Sequence, residues 1–312
     1  MAHVSVPPTV EQWFPSGAKD FFREVDMPHK PFIRTLRAQW LGQQLRQIRE
    51  QRGMTLKLVA THLNRDMSAL GRYERADWPI RREDVVALLD LYGFHRADER
   101  AHLLSLAEEV WRTDRWNDAY DNVIDSSFID FPWLESRADR ICSYHSTVMP
   151  GLFQLRDYAE LVIREVEGPK APEGLIQRGI ALRMDRQQML ERGQTKINAI
   201  IDESALRRPI GTPKLMQDQL RRILQLARQP QIEVRVLPRD IGLHPALDGS
   251  FWVFEMPTPY PAVGYLESLA GQMYFESPKA DRFVSAYHRT CDAALDPRES
   301  AGLISKIVEE LA

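Results

Sequence analysis

Two rhythms of apolar positions divide the chain. From Leu36 to Trp111 they return at helical spacing; after Pro132 short apolar runs alternate with amphipathic stretches. In LGQQLRQIREQRG (41–53), Leu41, Leu45 and Ile48 fall at i, i+4 and i+7, one stripe along a helix, and Gly53 is a natural stop because glycine takes left-handed backbone angles freely. Thr55 can cap the next helix, TLKLVATHL (55–63), with Val59, Ala60 and Leu63 turned inward. Ala60 is small where two steeply crossing helices have to touch. Asn64 tolerates a left-handed turn and Asp66 can cap a third helix inside NRDMSALGRYERADW (64–78). That helix is expected to bury Leu70 and Tyr73 and to expose Met67, Ser68, Gly71, Arg72 and Arg75. Trp40, Leu56 and Leu58 look exposed in this scheme, and the aromatic N-terminal arm (Trp13, Phe14, Phe21, Phe22) is expected to cover them.

Beyond residue 132, ICSYHSTV (141–148), TKINAIID (195–202), QIEVRVLP (231–238), SFWVFEMP (250–257), AVGYLESL (262–269) and QMYFES (272–277) read as strands. Helical patterns separate or follow them: LRDYAELVIREV, the run from Pro172 to Arg192, PKLMQDQLRRILQLARQ, PKADRFVSAYHRTCDAAL and PRESAGLISKIVEEL. The expected architecture is multidomain, an all-α helix-turn-helix head of the lambda-repressor type followed by an α+β C-terminal domain. The divisions are an arm at 1–35, the helix-turn-helix domain at 36–112, a connector at 113–132 and the body at 133–312.

Charge sharpens this division. The net charge of −3 speaks against nucleic acid until its distribution is considered. Between Arg34 and Arg82 eleven cations stand against four anions, a surplus of seven, which leaves −10 on the remainder. A basic head on an acidic body suggests a polyanion for one part and something else for the other. The five prolines before residue 34 suit an extended arm. The N-terminus lacks the basic-then-apolar layout of a secretory signal, no run approaches a membrane span, and two cysteines make no disulfide framework. A cytoplasmic, nucleoid-associated protein is expected.

A capped helix, a tight turn and a second capped helix with polar positions near its start is the helix-turn-helix arrangement. Residues at the beginning of such a recognition helix face base edges, so Met67, Ser68, Gly71 and Arg72 are the candidates for base readout. An arginine fork matches two acceptors on guanine, and a methionine can pack on a thymine methyl. Thr55, Arg65, Arg75, Arg81 and Arg82 are placed for phosphates, which position without specifying. The bland alternative is a helical packing module with a solvated basic face. Across about residues 36–93 the head resembles the Cro/cI, or XRE, regulators, with Thr55, Ala60, Leu63, Leu70 and Glu74 in that family's characteristic places. Leu56, Arg65 and Gly71 depart from its pattern.

Enzyme readings of the body find little footing. Asp202 and Glu203 are adjacent, and neighbouring side chains on a strand point to opposite faces. His244 stands four residues before Asp248, but the intervening proline and the Asp-Gly pair read as a turn. Ser143, Ser146 and Ser250 lack a nucleophile-elbow context. No catalytic residue, metal or cofactor is expected. The body is similar, over about residues 130–311, to the C-terminal domain of actinobacterial WhiJ-like, antitoxin-like regulators. The carrying motifs are MPGLFQLRDYA (149–159), ALRMDRQQML (181–190), DESALRRPIG (202–211), VRVLP (234–238), GLHPALDGSFWVFEMP (242–257) and VGYLESLAGQMYFESP (263–278); Phe153 and Leu155–Arg156 depart from the first. The resemblance implies transcription regulation by a body that senses a protein partner or small ligand. His244, Trp252, Tyr265 and Tyr274, aromatics beside polar groups on strands, are candidates for that contact, with core packing as the alternative. The expected partners are double-stranded DNA with a palindromic operator, a second copy of the chain, and a small basic protein encoded nearby. In the competing reading, sequestering that basic protein is the main task and DNA binding is autoregulation. A weaker third reading is an enzyme carried to DNA by the head.

Overall fold

A computed structural model describes residues 32, 34–111, 128, 130–269 and 271–311. Among the described residues five helices form the head: α1 (Leu36–Gln51), α2 (Leu56–Leu63), α3 (Met67–Glu74), α4 (Arg82–Leu91) and α5 (Ala97–Trp111). Their ends follow the local chemistry. Thr35 caps α1 by accepting from the Ala38 N–H at 3.2 Å, Thr55 caps α2 from Leu58, and Asp66 caps α3 from Ser68 at 2.6 Å. Gly53 and Asn64 take the left-handed angles that end α1 and α2, with φ of 65° and 49°. Leu41, Leu45, Ile48, Val59, Ala60, Leu70, Val85 and Leu89 fill the centre; Leu63 and Tyr73 pack on it half-buried.

The body is one six-stranded mixed sheet in the order β3-β2-β1-β4-β5-β6. The strands are β1 (Arg140–His145), β2 (Lys196–Asp202), β3 (Ile232–Leu237), β4 (Phe251–Glu255), β5 (Val263–Ser268) and β6 (Gly271–Phe275). The first three are parallel; β4 joins β1 antiparallel and continues as a meander through β5 and β6. All six segments read as strands are strands, the first ending at His145 rather than residue 148. Ile197, Ala199, Ile201, Val234 and Val236 bury one face beneath α11 (Pro213–Leu226) and α13 (Pro297–Glu310); Cys142, Tyr144, Ile200 and Val253 bury the other beneath α12 (Lys279–Ala293). The sequence did not announce α6 (Phe131–Arg137) or α10 (Glu203–Arg207). Elsewhere α7 spans Arg156–Glu167, and the run after Pro172 divides into α8 (Glu173–Gln187) and α9 (Met189–Arg192).

Close approach makes one glycine of β5 indispensable. A Cβ on Gly264 would lie 2.8 Å from the Phe283 ring of α12. Gly264→Ala is therefore expected to cost about 1–3 kcal/mol as overpacking. Thermal unfolding checks it, and an unchanged midpoint would show that α12 gives way freely.

Two exposure expectations are corrected. Trp40 is buried, because the body covers it: its ring stacks on Tyr260 at 4.4 Å and meets Trp133 of α6 at 5.6 Å, and its indole N–H donates to Glu276 at 2.5 Å. Gly71 is also buried, turned toward Leu56 of α2 and the Arg75 side chain rather than outward. Leu56 packs half-buried on the core, and Leu58 is exposed as expected. The arm proposed to cover these positions, and most of the connector at 113–132, lie outside the described residues.

Candidate nucleic-acid interface and body cleft

The recognition helix is held from behind. Arg49 on α1 forms a two-point ion pair with Glu74 at the end of α3, with nitrogen–oxygen distances of 2.6 and 2.8 Å, and a third bond to the Met54 carbonyl at 2.7 Å. Both side chains are enclosed, 9% and 10% exposed. The bond to Glu74 raises the Arg49 guanidinium above its ordinary range against the opposing effect of burial. Beside this pair α1 and α3 touch through backbone: a Cβ on Gly42 would meet the Tyr73 and Glu74 carbonyl oxygens at 2.7 Å. The ion pair and the glycine together fix the tilt of α3.

Anchored this way, α3 presents its N-terminal end. Met67 is 53% exposed and Ser68 is exposed beside it, whereas Gly71, a candidate with them, is buried. Arg72 lies half-buried with its guanidinium 4.9 Å over the Trp78 ring, which orients the fork without consuming all its donors. The phosphate candidates are mostly paired within the protein. Arg65 bonds Asp84, Arg75 bonds Asp77 and Arg82 bonds Glu108, each at 2.7 Å, while Arg81 lies over Trp111 at 5.0 Å. Such exposed pairs contribute about 0–1 kcal/mol, so a phosphate can exchange for the carboxylate at little cost. Thr55 uses its oxygen as a cap acceptor, which leaves its hydroxyl proton free to donate.

The body carries a cleft of about 1820 Å³. Its inner wall is the sheet face bearing Ser143, His145, Trp252 and Tyr265; α8 closes it opposite, and its mouth reaches the 245–250 loop and α12. Of the four sensing candidates, Trp252 and Tyr265 line this cleft. His244 packs edge-on against Tyr144 in the loop, and Tyr274 packs on Tyr265, so neither borders it. The sequence reading missed Arg183 and Arg186 of α8. Their i, i+3 spacing, with Gln187 next, was the available signal that all three share one helix face. Arg186 forms a two-point pair with Glu135 of α6, both bonds at 2.7 Å, and stacks on Phe131 at 4.9 Å.

Helix α6 is the bridge between the two halves. One side carries Glu135 and Phe131 to the cleft; the other carries Trp133 and Arg137 to Glu109 of α5, where the Trp133 indole N–H donates at 2.8 Å and Arg137 forms an ion pair. Asp130, just before α6, accepts from the first amide of α1 at 2.7 Å. On α1 itself, Trp40 faces the body and Gly42 faces α3; two residues apart, they are separated by about 200° around the helix. A single helix thus lies between the recognition helix and the body.

The catalytic groupings considered from sequence take structural partners. Asp202 accepts from Tyr144 and caps α10, and Glu203 pairs with Arg207. Ser143 does meet His145, Oγ to Nε2 at 3.0 Å. Burial pushes that imidazole down to about 3, far from the range of a base at neutral pH. Among the described residues no cluster of three or more His, Cys, Asp or Glu side chains could hold a metal, and no helix is long and apolar enough to cross a membrane.

Comparison with known proteins finds two domain families along the chain. Residues 40–103 match a helix-turn-helix domain model, and residues 128–306 match the domain of unknown function DUF5753. No curated protein and no solved structure matches the chain. With more than half of its length covered by the second model, the chain belongs to the DUF5753 family and joins that domain to a DNA-binding helix-turn-helix head.

Proposed function

We propose that this protein is a WhiJ-like transcription regulator of the actinobacterial type that binds a palindromic operator as a homodimer, its body adjusting the head in response to a bound ligand or partner. The observation that carries the reading is the exposed start of α3, Met67 and Ser68, on a helix whose far end is clamped by Arg49 and Glu74. Met67, Ser68 and Arg72 read base edges; Thr55, Arg65, Arg75, Arg81 and Arg82 hold phosphates. Two heads related by a twofold axis meet half-sites about 34 Å apart, one helical turn. In this reading an arm at 1–35 and a connector at 113–132 flank the head at 36–112, and the body follows at 133–312. Sensing is supported by the continuity of packing from cleft to α6 to α1, which lets an occupied cleft favour one placement of the head over another.

A pulldown of bound genomic DNA, with wild type and the Ser68→Ala/Arg72→Ala variant, tests the reading. Each lost base contact costs about 1–3 kcal/mol, so enrichment at a few promoters is expected to disappear in the variant while salt-sensitive nonspecific binding persists. Equal, sequence-blind recovery by both proteins would leave α3 as a charged surface only. Recovery of a small basic protein in place of specific DNA would favour the sequestering role suited to the acidic body.

A further inference from the structure

Two arginines one turn apart on α8 line the same cleft and are treated very differently. Arg186 is compensated by Glu135. Arg183 makes one hydrogen bond, from Nη1 to the neutral Gln154 amide oxygen at 2.7 Å, and among the described residues it has no ion pair. Glu267 and Glu135 act on it only at longer range, and Glu267 is exposed on the rim. Burial, reinforced by the charge of Arg186, draws its guanidinium down to about 10, so it remains protonated at neutral pH. Arg183 is half-buried in the cleft wall, and a partly desolvated cation with no carboxylate in hydrogen-bonding range is costly to hold; the cost falls when a ligand brings an anion into contact.

The fold also holds this guanidinium in place. Gln154 is buried and is itself fixed by donating to the Met149 carbonyl at 2.7 Å. Gln187 ties down the same turn through the carbonyls of Gly151 and Gln154. With one of five guanidinium N–H groups engaged, the rest of the fork is available to the cleft. Along β1 and β4 the facing sheet carries no charge, only Ser143, a neutral His145, and Trp252 with His145 edge-on at 5.1 Å; the competing carboxylate on the sheet is Glu267 of β5, at the rim.

We infer that the chamber between α8 and the sheet binds a small organic anion, a carboxylate or phosphate ester on a flat apolar body, with Arg183 gripping the anionic group and Trp252 and Tyr265 flanking the body. This names the ligand class for the sensing half and rests on that reading of the body.

The test is calorimetric titration of the full chain, without DNA, with benzoate, phenyl phosphate and the neutral isostere benzamide. A hydrogen bond to a charged group is worth about 1.5–3 kcal/mol, so at least one anion is expected to bind about tenfold or more tighter than benzamide. Preference for phenyl phosphate assigns a phosphate ester, and preference for benzoate a carboxylate. Arg183→Gln is expected to abolish the preference and Arg183→Lys to keep part of it. Glu267→Gln, a rim change that leaves the core intact, is expected to strengthen anion binding. Equal binding of benzamide and the anions, no anion binding, or an Arg183→Gln variant that binds as wild type does would overturn the site. Operator affinity with and without the bound anion is a separate readout. Anion binding that leaves DNA affinity unchanged supports the site and overturns the sensor, whereas intact DNA binding with no anion binding overturns the site alone.

Discussion

Glu74→Ala is expected to destabilise the head by about 3–5 kcal/mol, because it removes both short bonds to the enclosed Arg49 guanidinium and leaves it only the half-exposed Glu50 carboxylate at 3.4 Å. That is a large part of the ~5–15 kcal/mol that typically separates folded from unfolded protein. DNA binding is expected to fall with it, since α3 loses the clamp at its C-terminal end while every residue at its reading end is unchanged. Denaturant unfolding and operator titration of the same sample measure the two effects. The double variant Arg49→Met/Glu74→Met separates clamp from charge: removing both partners is expected to recover much of the stability lost by removing one. If Glu74→Ala unfolded and bound DNA as wild type does, the pair would be ornamental and α3 would be fixed by helix packing alone.

The second large effect is expected at the junction. Trp40→Ala removes a buried ring stacked on Tyr260 and facing Trp133, and leaves Glu276 without its indole donor. Truncation of a buried tryptophan costs about 3–5 kcal/mol. Because this ring belongs to the shared core of head and body, the loss should appear as uncoupling. Calorimetry is expected to show one cooperative transition in the wild type and two in the variant, the head melting first. A single transition, merely shifted, would mean that α6 and the Asp130 contact to α1 suffice to keep the halves together. A regulatory link between cleft and operator needs this junction. The same variant is therefore expected to retain DNA binding at temperatures below its lowered melting point and to lose any response of DNA affinity to a cleft ligand.

Much of the head was legible because its signals are local. Thr55, Asn64 and Asp66 cap or turn the backbone within a few residues of themselves, so their side-chain chemistry alone decides the outcome. The strands were legible for a similar reason. Alternation, or a short apolar run such as INAII, reports how many faces are buried without naming what buries them. The phosphate-binding roles proposed for the head's arginines rest on charge alone. The carboxylates that pair with Arg65, Arg75 and Arg82 in the folded head could not be assigned from sequence position.

The sequence by itself determined the two-part layout, the helix ends around the turn, the exposed start of α3 and all six strand positions. Tertiary structure alone decided what covers Trp40, which way Gly71 turns, and which of two neighbouring arginines keeps a counter-charge. The physical reason is separation along the chain. Trp40 meets Glu276 across 236 residues and Arg186 meets Glu135 across 51, and helical spacing carries no information about partners at such distances. Gly71 lies on the boundary between the exposed and buried sides of a short helix, where the neighbouring Leu56 settles its direction. Arg183 and Arg186 are alike in sequence; α6, folded against one and not the other, makes the first an open cation and the second a strut.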